Sequence, residues 1–281
     1  MAGDPSGERA HTVPILLYHA ITKTPGRHIA PFTVTPRQFA DQLDFLADAG
    51  YRCTTFSQLV AERTSGSVGA SQDAAQRTAV ITFDDGYADF AAAALPALAE
   101  RSMSCTLYVT TGWLEGSGSR EPGPSDRMLS WSQLPDLVAA GCEIGAHSHS
   151  HPQLDTLSTR DLTAELAGPK ALLEDALSRE VSSLAYPHGY HGPRVRRVAR
   201  ASGYRSGAAV RNRIGPPSED PFRVSRLTVT ASTTTAELAS WLVLPSPSGR
   251  RQARESPLSS AWRVYRRSRA VLRGKPGSDY R

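Results

Sequence analysis

Residues 78–87 read TAVITFDDGY. A β-branched, apolar run of this kind reads as a buried strand, yet it ends on two adjacent carboxylates, Asp84 and Asp85, before Gly86 lets the chain turn. Paired carboxylates repel, and each is costly to desolvate unless a cation or a proton compensates. The remainder of the chain is therefore expected to supply that compensation.

Six more short segments share the strand signature: VPILLYH (13–19), CTLYVT (105–110), CEIGAHS (142–148), SSLAYP (182–187), YRSGAAV (204–210) and FRVSRLTV (222–229). Between them lie helix-like stretches at 35–50, 89–101, 130–141, 158–177 and 192–203. The first has Thr35 as N-cap, Pro36 in its first turn and Gly50 as its stop. Pro169 is expected to bend or interrupt the longest of them. Alternating strands and helices argue for a parallel sheet with right-handed crossovers. Seven strands fall one short of a closed eightfold α/β barrel, so a distorted, incomplete (β/α)7-type barrel is the favoured fold class and an open doubly wound sheet the alternative.

The 281-residue chain divides into a polar extension (1–11), a catalytic-type domain (12–244) and a basic tail (245–281). A polar insertion spans 63–77, and 245–257 is linker-like. Cys53, Cys105 and Cys142 are far apart without CxxC spacing, and read as reduced core residues. Neither an export signal nor an apolar stretch long enough to span a membrane is evident, so a cytoplasmic location is expected. The tail carries ten Lys or Arg against two acids, whereas the body is slightly acidic. The high pI thus belongs to the tail and is no argument for a nucleic-acid-binding domain. Residues 259–274 can form a basic amphipathic helix, which suits peripheral contact with an anionic membrane surface as well as a plain basic tail.

The fourth strand-like segment runs into HSHSH, with His147, His149 and His151. Pro152 argues for a loop, and a turn beginning near His147 can bring His147 and His151 together. Two imidazoles and one carboxylate form a common catalytic zinc set, and Asp85 supplies the carboxylate. A carboxylate committed to a metal is a poor proton acceptor. Its neighbour Asp84 can stay free to activate water, provided the turn at Gly86 aims both side chains at one pocket.

Together TFDDGY, HSHSH and AYPHG resemble the polysaccharide deacetylase family, carbohydrate esterase family 4 with its NodB homology domain, over roughly residues 12–230. The resemblance implies a NodB-like barrel and metal-dependent removal of acetyl groups from sugars. It implies that Asp84 is the catalytic base and that Asp85, His147 and His151 are the metal ligands, with Zn2+ favoured and Co2+ or Ni2+ as alternatives. His149 falls at a position the family does not require. The family's third motif, Arg-Pro-Pro-Tyr-Gly, is represented by Ala185-Tyr186-Pro187-His188-Gly189. Tyr186 and His188 are thus the substrate or oxyanion candidates, the backbone N–H of His188 standing in the tyrosine's place. The arginine that restrains the catalytic aspartate is missing there, and Arg226 is the candidate replacement. The family's late histidine is also missing, since no histidine follows His191. The chain resembles a branch acting on poly-N-acetylglucosamine-type glycans, in which a histidine at the start of the domain appears instead, so His19 becomes the candidate general acid.

The expected activity is de-N-acetylation of an N-acetylhexosamine in a glycan or glycoconjugate, releasing acetate, with an N-acetylated sugar as the partner. Two alternatives remain open at this point: a carbohydrate-binding pseudoenzyme, and a hydrolase of small amides. Asp84, Asp85, His147, His151, His19 and the 186–189 segment all fall at the C-terminal ends of strand-like segments, the rim where α/β barrels place their active sites.

Overall fold

The computed structural model describes residues 12–66, 77–118 and 123–243. Its elements run β1 (Ile15–Tyr18), β2 (Ala20–Ile21), β3 (Thr33–Val34), α1 (Pro36–Asp48), β4 (Tyr51–Thr54), α2 (Phe56–Ser65), β5 (Arg77–Phe83) and α3 (Leu95–Ala99). Then follow β6 (Cys105–Val109), α4 (Leu134–Ala139), β7 (Cys142–Ala146), α5 (Thr159–Leu177), β8 (Ser183–Ala185), α6 (Pro193–Ala201), β9 (Ser206–Val210), β10 (Val224–Thr228) and α7 (Thr235–Val243).

Seven parallel strands close into a ring in the order β1-β5-β6-β7-β8-β9-β10. Closure rests on β1, which pairs with β5 (Tyr18 opposite Phe83) and with β10 (Leu16 opposite Leu227). That double pairing excludes the open doubly wound sheet. The seven ring strands are the seven legible in the sequence. β4 lies outside the ring along the first half of β5, with Thr54 opposite Val80.

Strand alternation sorts the side chains into two layers. One set, Ile15, Val80, Tyr108, Ala185, Ala208 and Val224, forms a buried cluster with Phe56, Leu59 and Val60 of α2. These three helix residues occupy the N-terminal end of the barrel. The helix is tied there by Phe56 N–H to Thr106 Oγ1 (2.9 Å) and by Ser57, whose N–H and hydroxyl both reach Glu143. Glu143 also accepts from Ser183 Oγ at 2.8 Å. The opposite set, including Leu16, Phe83, Leu107, Ile144, Leu184 and Tyr186, packs outward against the helices in the larger core.

Helix starts follow their capping chemistry. Thr35 accepts from Gln38 N–H with Pro36 at the first turn, and Thr55 with Gln58 forms a full capping box for α2. α5 stays one continuous helix through Pro169, so of the expected bend or interruption the interruption is absent. Proline removes one ladder bond, but Leu162, Leu166, Pro169 and Leu173 are all buried on the core side and pack the turns on either side of it. Among the described residues no helix is long and apolar enough to cross a membrane. The basic tail and its 259–274 segment, residues 67–76 of the polar insertion and the extension 1–11 lie outside the described residues.

Candidate active site

Because every ring strand runs parallel, all seven C-terminal tips open on one rim. Asp84 sits just past β5, its N–H bonded to Tyr18 O at 3.0 Å, so it continues the β1 pairing and points into the barrel. There Arg226 of β10 meets it with two parallel hydrogen bonds, Nη1 to Oδ1 at 2.7 Å and Nη2 to Oδ2 at 2.8 Å. Arg226 is fully buried; its Nη1 also donates to Thr82 Oγ1, its Nε to Ala209 O, and its guanidinium lies 5.5 Å from the Tyr108 ring centroid. Burial works to raise the Asp84 pKa, but Arg226 and then His147 outweigh it and hold the carboxyl below its usual value. The guanidinium thus compensates one member of the carboxylate pair.

Asp85 would face outward if the strand simply continued. It adopts φ 77° instead, followed by Gly86 at φ 94°, and this double left-handed turn swings its carboxylate back to the rim. The sequence reading had given that turn to Gly86 alone. Thr110 N–H donates to Asp85 O at 3.1 Å and fixes the turn to the tip of β6.

His147, at the tip of β7, bonds through Nδ1 to Ala185 O at 2.9 Å. A carbonyl can only accept, so Nδ1 carries the proton and Nε2 faces Asp85 Oδ1, 3.4 Å away. His151 Nε2 lies 3.4 Å from the same oxygen. The three ligand atoms lie within 4.8 Å of one another, the one such cluster among the described residues. Burial drives His151 well below the usual imidazole pKa against the pull of Asp85. Asp85 is itself held ionised by His147 and His151 in spite of burial. Asp85 Oδ1 is buried with no hydrogen-bond donor. An anionic oxygen without a donor, facing a neutral imidazole nitrogen, is the donor set a divalent cation satisfies, so the residues present fit a metal.

The loop bearing these histidines is gripped from outside. Glu165 on α5 accepts from His149 N–H (2.8 Å), Ser150 N–H (2.9 Å) and Ser150 Oγ (2.6 Å). Ser148 and His151 take φ 63° and 57°, and His151 N–H donates to Ser148 Oγ at 3.0 Å. His149 turns away to Thr111 Oγ1 at 2.9 Å and stays outside the ligand cluster. Sequence reasoning missed Glu165 and Thr111, which act on the loop's backbone and on a side chain outside the cluster; neither carries a spacing signal.

The third segment requires a correction. Tyr186 follows the inward-facing Ala185 and therefore points outward, where its hydroxyl donates to Phe222 O at 3.0 Å and its N–H donates to Ala208 O at 3.1 Å. Both of its donors are committed, so it offers nothing to a substrate or an oxyanion. His188, at φ 57°, does reach the rim, its ring edge-on to His151 at 4.5 Å between centroids. His19, just past β1, is half-buried with Nδ1 lacking a hydrogen-bond partner. Burial lowers its pKa while the charges of Asp85 and Asp84 pull the other way. Trp113 is only 7% exposed and packs its ring 4.9 Å from His151. Trp131 packs against the larger core.

Residues 71–207 match the family model described as polysaccharide deacetylase. A putative polysaccharide deacetylase, YxkH of Bacillus subtilis, is 25% identical over 202 residues, covering 71% of this chain and 65% of that protein. Chitin deacetylase 1 of Cryptococcus neoformans is 27% identical over 124 residues, or 44% of this chain and 23% of that one. The match thus spans less than two thirds of either curated relative's length. Among solved structures, the Streptococcus pyogenes deacetylase PplD in complex with acetate superposes with a TM-score of 0.71 at 24% identity, covering 82% of this chain and 97% of that one. IcaB from Ammonifex degensii gives 0.68 at 24% identity, with the same coverage. These likenesses establish a shared barrel fold.

Proposed function

We propose that the chain, whose residues 71–207 match the polysaccharide deacetylase model, hydrolyses the acetamide of an N-acetylhexosamine unit in a glycan or glycoconjugate, releasing acetate and a free amino sugar. The observation that carries this reading is the clamped Asp84 beside a cluster of two imidazoles and a second carboxylate.

Asp85, His147 and His151 would hold the divalent cation, Zn2+ by donor type with Co2+ or Ni2+ as alternatives. Such a cation supplies Lewis acidity toward the carbonyl oxygen and brings the pKa of a bound water down to about 7. Asp84 takes the proton of the attacking water; its two oxygens are pinned by Arg226, so the base is oriented before substrate arrives. The backbone N–H of His188 is the proposed donor to the oxyanion, which needs no particular side chain. His19, at the tip of β1, would pass to the departing amine a proton taken up from solvent, while the proton on Asp84 leaves to solvent after turnover. The complete Asp85-His147-His151 ligand set favours the enzyme over the pseudoenzyme.

The test is acetate release from a panel of N-acetylglucosamine oligomers, lipid-linked and nucleotide-linked N-acetyl sugars and small acetamides, with metal-loaded protein and with chelator. Release from the sugars that stops with chelator, and falls roughly 10²–10⁴-fold in Asp84→Asn at unchanged metal content, is expected. Full activity in that variant, or release confined to small amides, overturns the assignment.

A further inference from the structure

Two large hydrophobic side chains are exposed among the described residues, Leu172 at 47% and Phe32 at 40%. Leu172 lies on α5, next to the buried Leu173 but turned to solvent. Phe32 stands at the mouth of the site, its ring 5.2 Å from that of His19 and tilted by 41°.

The register explains this placement. β2 begins directly after His19 and β3 directly after Phe32, and the two pair in parallel with Ala20 opposite Thr33. His19 and Phe32 therefore occupy equivalent places on adjacent chains, side by side at the rim. The segment between them is held at several points. Ile21 N–H and Gly26 N–H each reach a carboxylate, Asp89 and Asp126, at 2.6 Å. Ala30 N–H donates to Gly26 O, Phe32 N–H to Ile29 O, and Ala231 N–H to Pro31 O at 3.0 Å. Ile29 is buried with Trp113, Tyr87 and Met128 beneath.

A phenyl ring with 40% of its surface left in water on so fixed a support is ordered in advance for a ligand. A pyranose ring presents an apolar face of C–H groups with its hydroxyls at the edge, and a flat aromatic surface complements that face. We infer that Phe32 is a substrate-binding platform, stacking on the apolar face of a hexosamine unit while the acetamide lies toward Asp84 and the Asp85-His147-His151 cluster. The inference rests on the proposed de-N-acetylase reading and adds the residue that recognises the sugar ring.

The experiment compares metal-loaded full-length wild type with Phe32→Ala, Phe32→Tyr, Phe32→Trp and the control Leu172→Ala. N-acetylglucosamine mono- to pentasaccharides are the probes, followed by calorimetric binding and by acetate release. In Phe32→Ala both the dissociation constant and KM are expected to rise about tenfold with kcat nearly unchanged, the size of one lost aromatic contact. The Tyr and Trp variants should restore binding, and Leu172→Ala should match wild type. Unchanged KM in Phe32→Ala, or a fall in kcat alone, overturns the platform and makes the ring a support for His19. Should wild type release no acetate, the deacetylase reading fails separately. Calorimetry then decides the platform by itself: oligomers binding wild type no more tightly than Phe32→Ala overturn it.

Discussion

Arg226 and Asp84 join strands β10 and β5 across the barrel interior through two parallel contacts of 2.7 and 2.8 Å. Removing one partner of such a buried pair leaves an uncompensated charge. Arg226→Met is therefore expected to destabilise the fold by about 3–5 kcal/mol in urea denaturation. Adding Asp84→Asn to that variant should recover part of the loss, because the stranded carboxylate is gone. A double variant no more stable than Arg226→Met would show that the pair contributes nothing beyond packing.

Glu165 holds two peptide N–H groups and one hydroxyl of the histidine loop. Glu165→Ala should leave the fold in place while weakening metal affinity about 10–100-fold, the usual effect of losing a partner that orients metal ligands. Glu165→Gln, which keeps carbonyl acceptance, should fall between the two. Competition with a chromogenic chelator reads the affinity directly.

Asp89 accepts Ile21 N–H beneath the Phe32 segment, and burial, against that bond and with help from Asp126, pushes its pKa up to about 6. The unfolded chain ionises this group near the ordinary value of about 4, so between about pH 4 and pH 6 the native state binds more protons and stability falls as pH rises. The stabilising contribution is complete below the unfolded pKa and lost above the folded one. Asp89→Asn should remove this slope, a difference of at most about 3 kcal/mol, in denaturation midpoints measured across the interval. An unaltered slope would assign the pH dependence to other groups.

Gly207 lies on β9 against the outward-turned Tyr186. A methyl group there would press on the tyrosine hydroxyl and come within 2.7 Å of Cζ. Gly207→Ala should cost about 1–3 kcal/mol by overpacking. Metal content should not change, because Tyr186 faces away from the rim. Loss of metal binding in this variant would contradict that orientation.

The ring strands were legible because each is a short apolar run ending at a polar tip. β4 was not, since Tyr51 and Arg52 remain partly or fully exposed and leave only Cys53 and Thr54 as a signal. α2 carried a readable start in the Thr55–Gln58 capping box, but only three buried positions, Phe56, Leu59 and Val60, face the barrel. The metal cluster could be read from residue type and spacing. Arg226 could be proposed from its strand, yet that it reaches Asp84 depends on β1 closing the ring. Tyr186 was misplaced because a motif match ignores alternation: with Ala185 facing in, its neighbour must face out. Glu165 acts through peptide groups of a loop, and sequence spacing carries no trace of that.

Four residues around the rim, Asp85, Ser148, His151 and His188, take positive φ between 57° and 77° although none is glycine. Each such conformation costs an L-residue about 1–2 kcal/mol, less for aspartate, and glycine escapes it. At Asp85 and His151, the two of these that belong to the cluster, backbone comfort and metal ligation therefore ask for different amino acids. Selection for thermal robustness alone would drift these positions toward glycine and dismantle the cluster one ligand at a time. Asp85 and His151 thus give up some firmness of folding for the placement of two side chains in the cluster.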